Sequence, residues 1–64
     1  MPDYEVTIYE TITHTIRVAG NDQDHALDIA YELVKDYKKP YLESNYGYSE
    51  DSMGFKGHII EEID

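Results

Sequence analysis

The chain has 64 residues, with no cysteine, two prolines and four glycines. That leaves room for one small core, a single domain over 1–64, and excludes disulfide stapling and most enzyme architectures. Fourteen Asp and Glu stand against five Lys and Arg, a formal net charge of -9, which weighs against direct contact with nucleic acid or an anionic membrane and points to a basic partner.

Residues 4–18 alternate with period two. The even positions are Tyr4, Val6, Ile8, Glu10, Ile12, His14, Ile16 and Val18, and the odd ones are Glu5, Thr7, Tyr9, Thr11, Thr13, Thr15 and Arg17. Fifteen residues are long for one strand, so the stretch reads as a hairpin turning at 11–13. An odd loop keeps even residues opposite even ones, with Glu10 expected to face His14, Ile8 to face Ile16 and Val6 to face Val18. One face is then apolar and the other is Thr-rich and half-solvated.

Asn21 and Asp22 form a helix N-cap signal, with acids in the first turn where the helix dipole favours them. The spacing predicts a helix over 22–38. Ala26, Ile29, Ala30, Leu33, Val34 and Tyr37 form its apolar stripe, Leu27 borders it, and Lys38, Lys39 and Pro40 end it. Residues 41–52 read as a long loop around Gly47 with one helical turn after Pro40, and a loop that long in so small a domain is usually functional or mobile. Residues 54–63 alternate again and predict a third strand, with Gly54 and Gly57 allowing a bulge or a close backbone approach. The expected fold is α+β, a single β-β-α-β domain. A right-handed crossover gives a three-stranded antiparallel sheet of order 2-1-3 with one helix packed on one face.

Chemistry-bearing constellations are sparse. His14, His25 and His58 fall in an expected turn, a helix first turn and a strand, without the converging spacing a metal needs. Glu10 beside His14 has the residue types of a general-base pair, but a charged cross-strand pair near a turn is the plainer reading. No phosphate-cradling glycine motif is present. The expectation is therefore a non-enzyme with no catalytic residue, metal or cofactor. No apolar run is long enough to span a membrane and the N-terminus lacks a secretory layout, so a cytoplasmic protein is expected, as the absence of cysteine also fits.

The informative pattern is acidic. Asp24, Asp28, Glu32 and Asp36 recur every four residues, about 6 Å apart along one side of a helix. Like charges at that spacing oppose the helix by about 0.2–0.5 kcal/mol per pair. A solvated face serving solubility accounts for them as readily as a binding face does. From residue 41 onward, six acids stand against Lys56 alone, interleaved with tyrosines. Tyr41, Glu43, Tyr46, Tyr48, Glu50 and Asp51 therefore form a second candidate contact, suited to Arg and Lys through charge, hydrogen bonds and cation-π contact. Seven tyrosines against one Phe and no Trp fit a contact surface. The plain alternative is a flexible polar loop whose tyrosines cover a small core.

The run from Tyr4 through Val6, Ile8, Glu10 and Thr11, then Ile16-Arg17-Val18-Ala19, a short acidic link into an Ala-containing helix and a final strand resembles the small DpnD/PcfM-like family. The resemblance covers nearly the whole chain, although segment 41–52 is longer than the family pattern. It implies a phage, plasmid or restriction-locus setting in a bacterial host, and brings no catalytic residues. Small acidic proteins in that setting resemble inhibitors of host nucleic-acid machinery. The expected function is an anti-CRISPR or anti-restriction inhibitor that occupies the basic nucleic-acid channel of a Cas or restriction component by mimicry. The alternative is a non-catalytic interaction or homodimerisation module, joined through an exposed sheet edge or the Thr/Tyr face.

Overall fold

In a computed structural model of the chain, which describes residues 2–52 and 57–63, the period-two stretch is a hairpin of two antiparallel strands, β1 (Asp3–Tyr9) and β2 (Ile12–Ala19). Glu10 and Thr11 connect them, so the turn falls one residue earlier than expected. The register moves by two: Ile8 lies opposite His14, Val6 opposite Ile16 and Tyr4 opposite Val18. A shift of two leaves every side chain on its original face, and Tyr4, Val6, Ile8, Ile16 and Val18 are buried. It also moves His14 out of the turn into β2 as a buried residue, and Glu10 is not its cross-strand partner.

Helix α1 (Gln23–Lys35) starts at its N-cap Asp22, whose carboxylate accepts the His25 N–H at 2.8 Å. It ends three residues short of the expected limit, at the C-cap Asp36. Pro40 is the reason. Rather than stopping α1, it lies in the first turn of α2 (Lys39–Tyr46), where a missing N–H costs nothing. Lys38 must then be the extended N-cap, with φ -129° and ψ 90°, so α1 closes before it. Gly47 caps α2 in the left-handed conformation, φ 62°, and its N–H donates to the Leu42 carbonyl, an arrangement that favours glycine.

The segment expected as a loop is therefore a helix followed by strand β3 (Ser49–Ser52), and the last strand is β4 (Gly57–Glu62). The expected three strands and one helix are four strands and two helices, in an antiparallel sheet of order β3-β2-β1-β4. Among the three expected strands the order 2-1-3 holds, with β1 between β2 and β4. The addition is β3, which pairs with the outer side of β2. The expected bulge at 54–57 falls largely on 53–56, outside the described residues.

Both helices lie on the even-numbered face. Ala26 and Ala30 of α1, Leu42 of α2 and Tyr48 complete the core with the strand residues, and Leu27, Ile29, Leu33, Val34, Tyr46 and Ile60 pack around it. Tyr37, expected on the α1 stripe, lies beyond the helix and is exposed. Small residues at 26 and 30 let α1 approach the sheet closely. The same closeness fixes Gly20, where a Cβ would lie 2.9 Å from the Ala26 backbone nitrogen and 3.1 Å from its Cα.

Because that clash is with backbone, Gly20→Ala is expected to lower stability by about 1–3 kcal/mol through displacement of the α1 N-terminus. Thermal denaturation followed by circular dichroism checks this.

Candidate interaction surface

At about 100° per residue, positions 24, 28 and 32 lie about 140–180° around the helix from the mean direction of Ala26 and Ala30. Since the alanines are buried against the sheet, Asp24, Asp28 and Glu32 point outward, and all three are exposed. Asp36 is exposed too, but as the α1 C-cap rather than a helical residue. It lines a shallow cleft with Leu33, Lys38, Tyr41 and Leu42. The two ion pairs formed among the described residues, His14 with Glu10 and Lys39 with Glu50, use none of these four acids. The acidic row is thus presented to solvent with its charge uncompensated by those pairs.

The second candidate segment divides. Tyr41 and Glu43 are exposed on α2, and Asp51 is exposed on β3. The half-buried Tyr46 packs edge-on against Tyr41, ring centroids 5.9 Å apart. A hydrogen bond with Tyr41, followed by burial, raises the Tyr46 phenol above its ordinary range. Asn45 Nδ2 also donates to the Tyr41 carbonyl at 2.9 Å. Tyr48 departs from the expectation of a contact residue. It is 4% exposed, because residue 48 follows the Gly47 cap and turns its ring under α2 into the core.

Glu50 departs as well. Its half-buried carboxylate receives Lys39 Nζ at 2.8 Å and the Tyr37 hydroxyl at 3.1 Å, with the Tyr48 hydroxyl at 3.3 Å. The Lys39 hydrogen bond chiefly holds the Glu50 carboxyl below its ordinary range, and the two tyrosine hydrogen bonds add to it. The same pair raises Lys39. Tyr48 also lies 2.5 Å from His14 Nδ1, and Glu10 Oε1 is 3.3 Å from His14 Nε2. Burial first, then the Glu50 charge, pushes the Tyr48 phenol far up, so it stays a neutral hydroxyl. The rings of His14, Tyr37 and Tyr48 pack mutually, with centroids 5.8–6.1 Å apart.

This polar cluster joins β2, β3, the α1–α2 link and the start of α2. Sequence reasoning did not assemble it, since Lys39, Tyr37 and His14 share no local spacing with Glu50. Its arrangement is structural: every partner is internal, and it ties β3 to α2. Of the other histidines, His25 Nδ1 accepts the Asn21 N–H at 2.9 Å and His58 meets the edge of Tyr31. Among the described residues no three His, Asp or Glu converge as metal ligands.

A carboxyl held below its ordinary range stabilises the fold above that range, and the contribution is lost as pH falls through the folded-state value. Glu50→Gln should therefore melt below the wild type at neutral pH, with the difference shrinking once both are measured below about pH 4, where ordinary carboxylates protonate. Paired thermal melts at neutral and acid pH check the sign.

No protein-family model matches the chain, and no curated protein or solved structure matches it significantly, so its function is read from its own surface.

Proposed function

We propose that this chain is a phage- or plasmid-encoded acidic inhibitor that binds the basic nucleic-acid-binding surface of a host defence complex, of the anti-CRISPR or anti-restriction type. The observation that carries the reading is the outward row of Asp24, Asp28 and Glu32 on α1, continued by Asp36 at its end. Carboxylates about 6 Å apart on a rigid helix approximate the spacing of backbone phosphates, and a helix holds that spacing without further ordering cost. A net charge of -9 steers such a body toward a basic channel.

Tyr41, exposed on α2 in the same cleft as Asp36, extends the surface past the acidic C-cap, with the Tyr46 ring packed against it, whereas Glu43 lies about 200° around α2, in the cleft that holds Asp3 and Arg17. Tyr48 and Glu50 serve this surface indirectly, by fixing β3 and the start of α2. Asp51 lies at the far edge strand. No helix among the described residues is long and apolar enough to cross a membrane; the proposed site of action is the cytoplasm of the bacterial host. The resemblance to DpnD/PcfM-like domains supports a mobile-element setting.

Reversing Asp28 and Glu32 to Lys turns the 24/28 and 32/36 pairs attractive and leaves 28/32 a like-charge pair, so the double variant should fold about as stably as the wild type. It should lose inhibition of DNA binding when both proteins are titrated against purified Cas effector and restriction complexes in a mobility-shift assay. A wild type without effect on any complex tested, or a reversal variant that inhibits equally, counts against the reading.

A further inference from the structure

β4 is an edge strand that the fold leaves uncovered. In β1 and β2 every second side chain is buried, whereas in β4 only Ile60 is even half-buried, and Ile59 and the adjacent Ile63 are 47% and 40% exposed. α1 lies mainly over β1 and β2. Edge strands are normally blunted by Lys, Pro, a bulge or short length. The other edge, β3, is four residues long and acidic. β4 is six residues long with neither Lys nor Pro, Gly57-His58-Ile59-Ile60-Glu61-Glu62.

The ladder fixes which backbone groups are unused. Ile63 N–H donates to the Asp3 carbonyl at 2.9 Å, and the register runs from Tyr4 opposite Glu62 to Tyr9 opposite Gly57. In an antiparallel pair the hydrogen-bonded positions alternate. Odd residues of β4 therefore bond to β1, and His58, Ile60 and Glu62 aim N–H and C=O away from the sheet. Among the described residues no strand lies on that side.

We propose that the occupant of this edge is a second copy of the chain, its β4 antiparallel about a two-fold axis at Ile60. A two-fold perpendicular to the sheet keeps side-chain faces, so only registers pairing residues of equal parity are allowed. Centred on Ile60, the register sets Ile60 opposite its own copy and each His58 opposite the other chain's Glu62. It uses all three outward-facing positions, and at two bonds per pair gives about six main-chain hydrogen bonds. On the open face each Ile59 lies opposite a Glu61, so no carboxylate faces another. Moving the axis to Glu61 or Glu62 sets like charges opposite each other. Moving it to Ile59 loses both His–Glu pairs. The result is a continuous eight-stranded sheet with all helices on one face, and the acidic row on α1 stays exposed in it. The proposal stands apart from the functional reading above.

Sedimentation equilibrium in about 0.3 M NaCl, which screens repulsion between two highly acidic chains, tests it. The wild type is expected to dimerise in the micromolar range. His58→Glu, exposed on β4, puts Glu opposite Glu62 and should weaken the dimer about tenfold or more, from two cross-strand pairs turned repulsive. Adding Glu62→Lys to that variant should restore it, with circular dichroism reporting that each variant is folded. Both variants lose the His58 contact with Tyr31, so recovery reports the pairing between chains. A wild type monomeric at about 1 mM, a His58→Glu dimer as tight as the wild type, or a double variant that does not recover would each overturn the proposal.

Discussion

Val6 and Ile16 face each other across the β1–β2 pair with no exposed surface, and the rest of the chain is arranged to keep water from that spot. A two-stranded hairpin cannot exclude water alone. α1 lays Ala26 and Ala30 against it, small enough for the helix backbone to come close, and Gly20 gives the room that approach needs. Leu42 from α2 and Tyr48 close the remaining side. In so short a chain the core is one layer of side chains deep, and each of its few members is correspondingly important.

That thin core ends in a polar cluster rather than in open solvent. Tyr48 inserts its ring among the apolar residues and presents its hydroxyl to His14 and Glu50, which lets one side chain both fill volume and meet its hydrogen-bonding need. Lys39 neutralises Glu50 from the first turn of α2, so a carboxylate that would otherwise repel its acidic surroundings instead fastens the short strand β3. With so poor a strand sequence, Ser-Glu-Asp-Ser, side-chain anchoring of this kind is what distinguishes β3 from a loop.

Charge and apolar surface are thereby sorted to different places. The acidic row stands on the side of α1 turned away from the sheet, while exposed isoleucines lie at β4 and just beyond it, Ile59 and Ile63. The two surfaces do not compete, since pairing at the β4 edge leaves α1 exposed, and an assembly would present two acidic rows in place of one.

The sequence by itself determined the hairpin faces, the existence and N-cap of α1, the pairing of β1 with the last strand, and the acidic row. The faces and the acidic row follow from local periodicity of two or four residues, which a register shift of two does not alter, the N-cap from Asn21 and Asp22, and the place of the last strand from the handedness of the crossover. Pro40 and Gly47 also bracket α2 in the sequence as a helix start and stop, although Pro40 reads equally well as the end of α1. Only the tertiary structure decided that Ser49–Ser52 is a strand, that Tyr48 and Glu50 turn inward while Tyr41 and Glu43 remain outside, and that His14 is buried. Those outcomes depend on Lys39, Tyr37 and Glu10 arriving from separate elements. A contact between residues distant in the chain leaves no periodic trace in it.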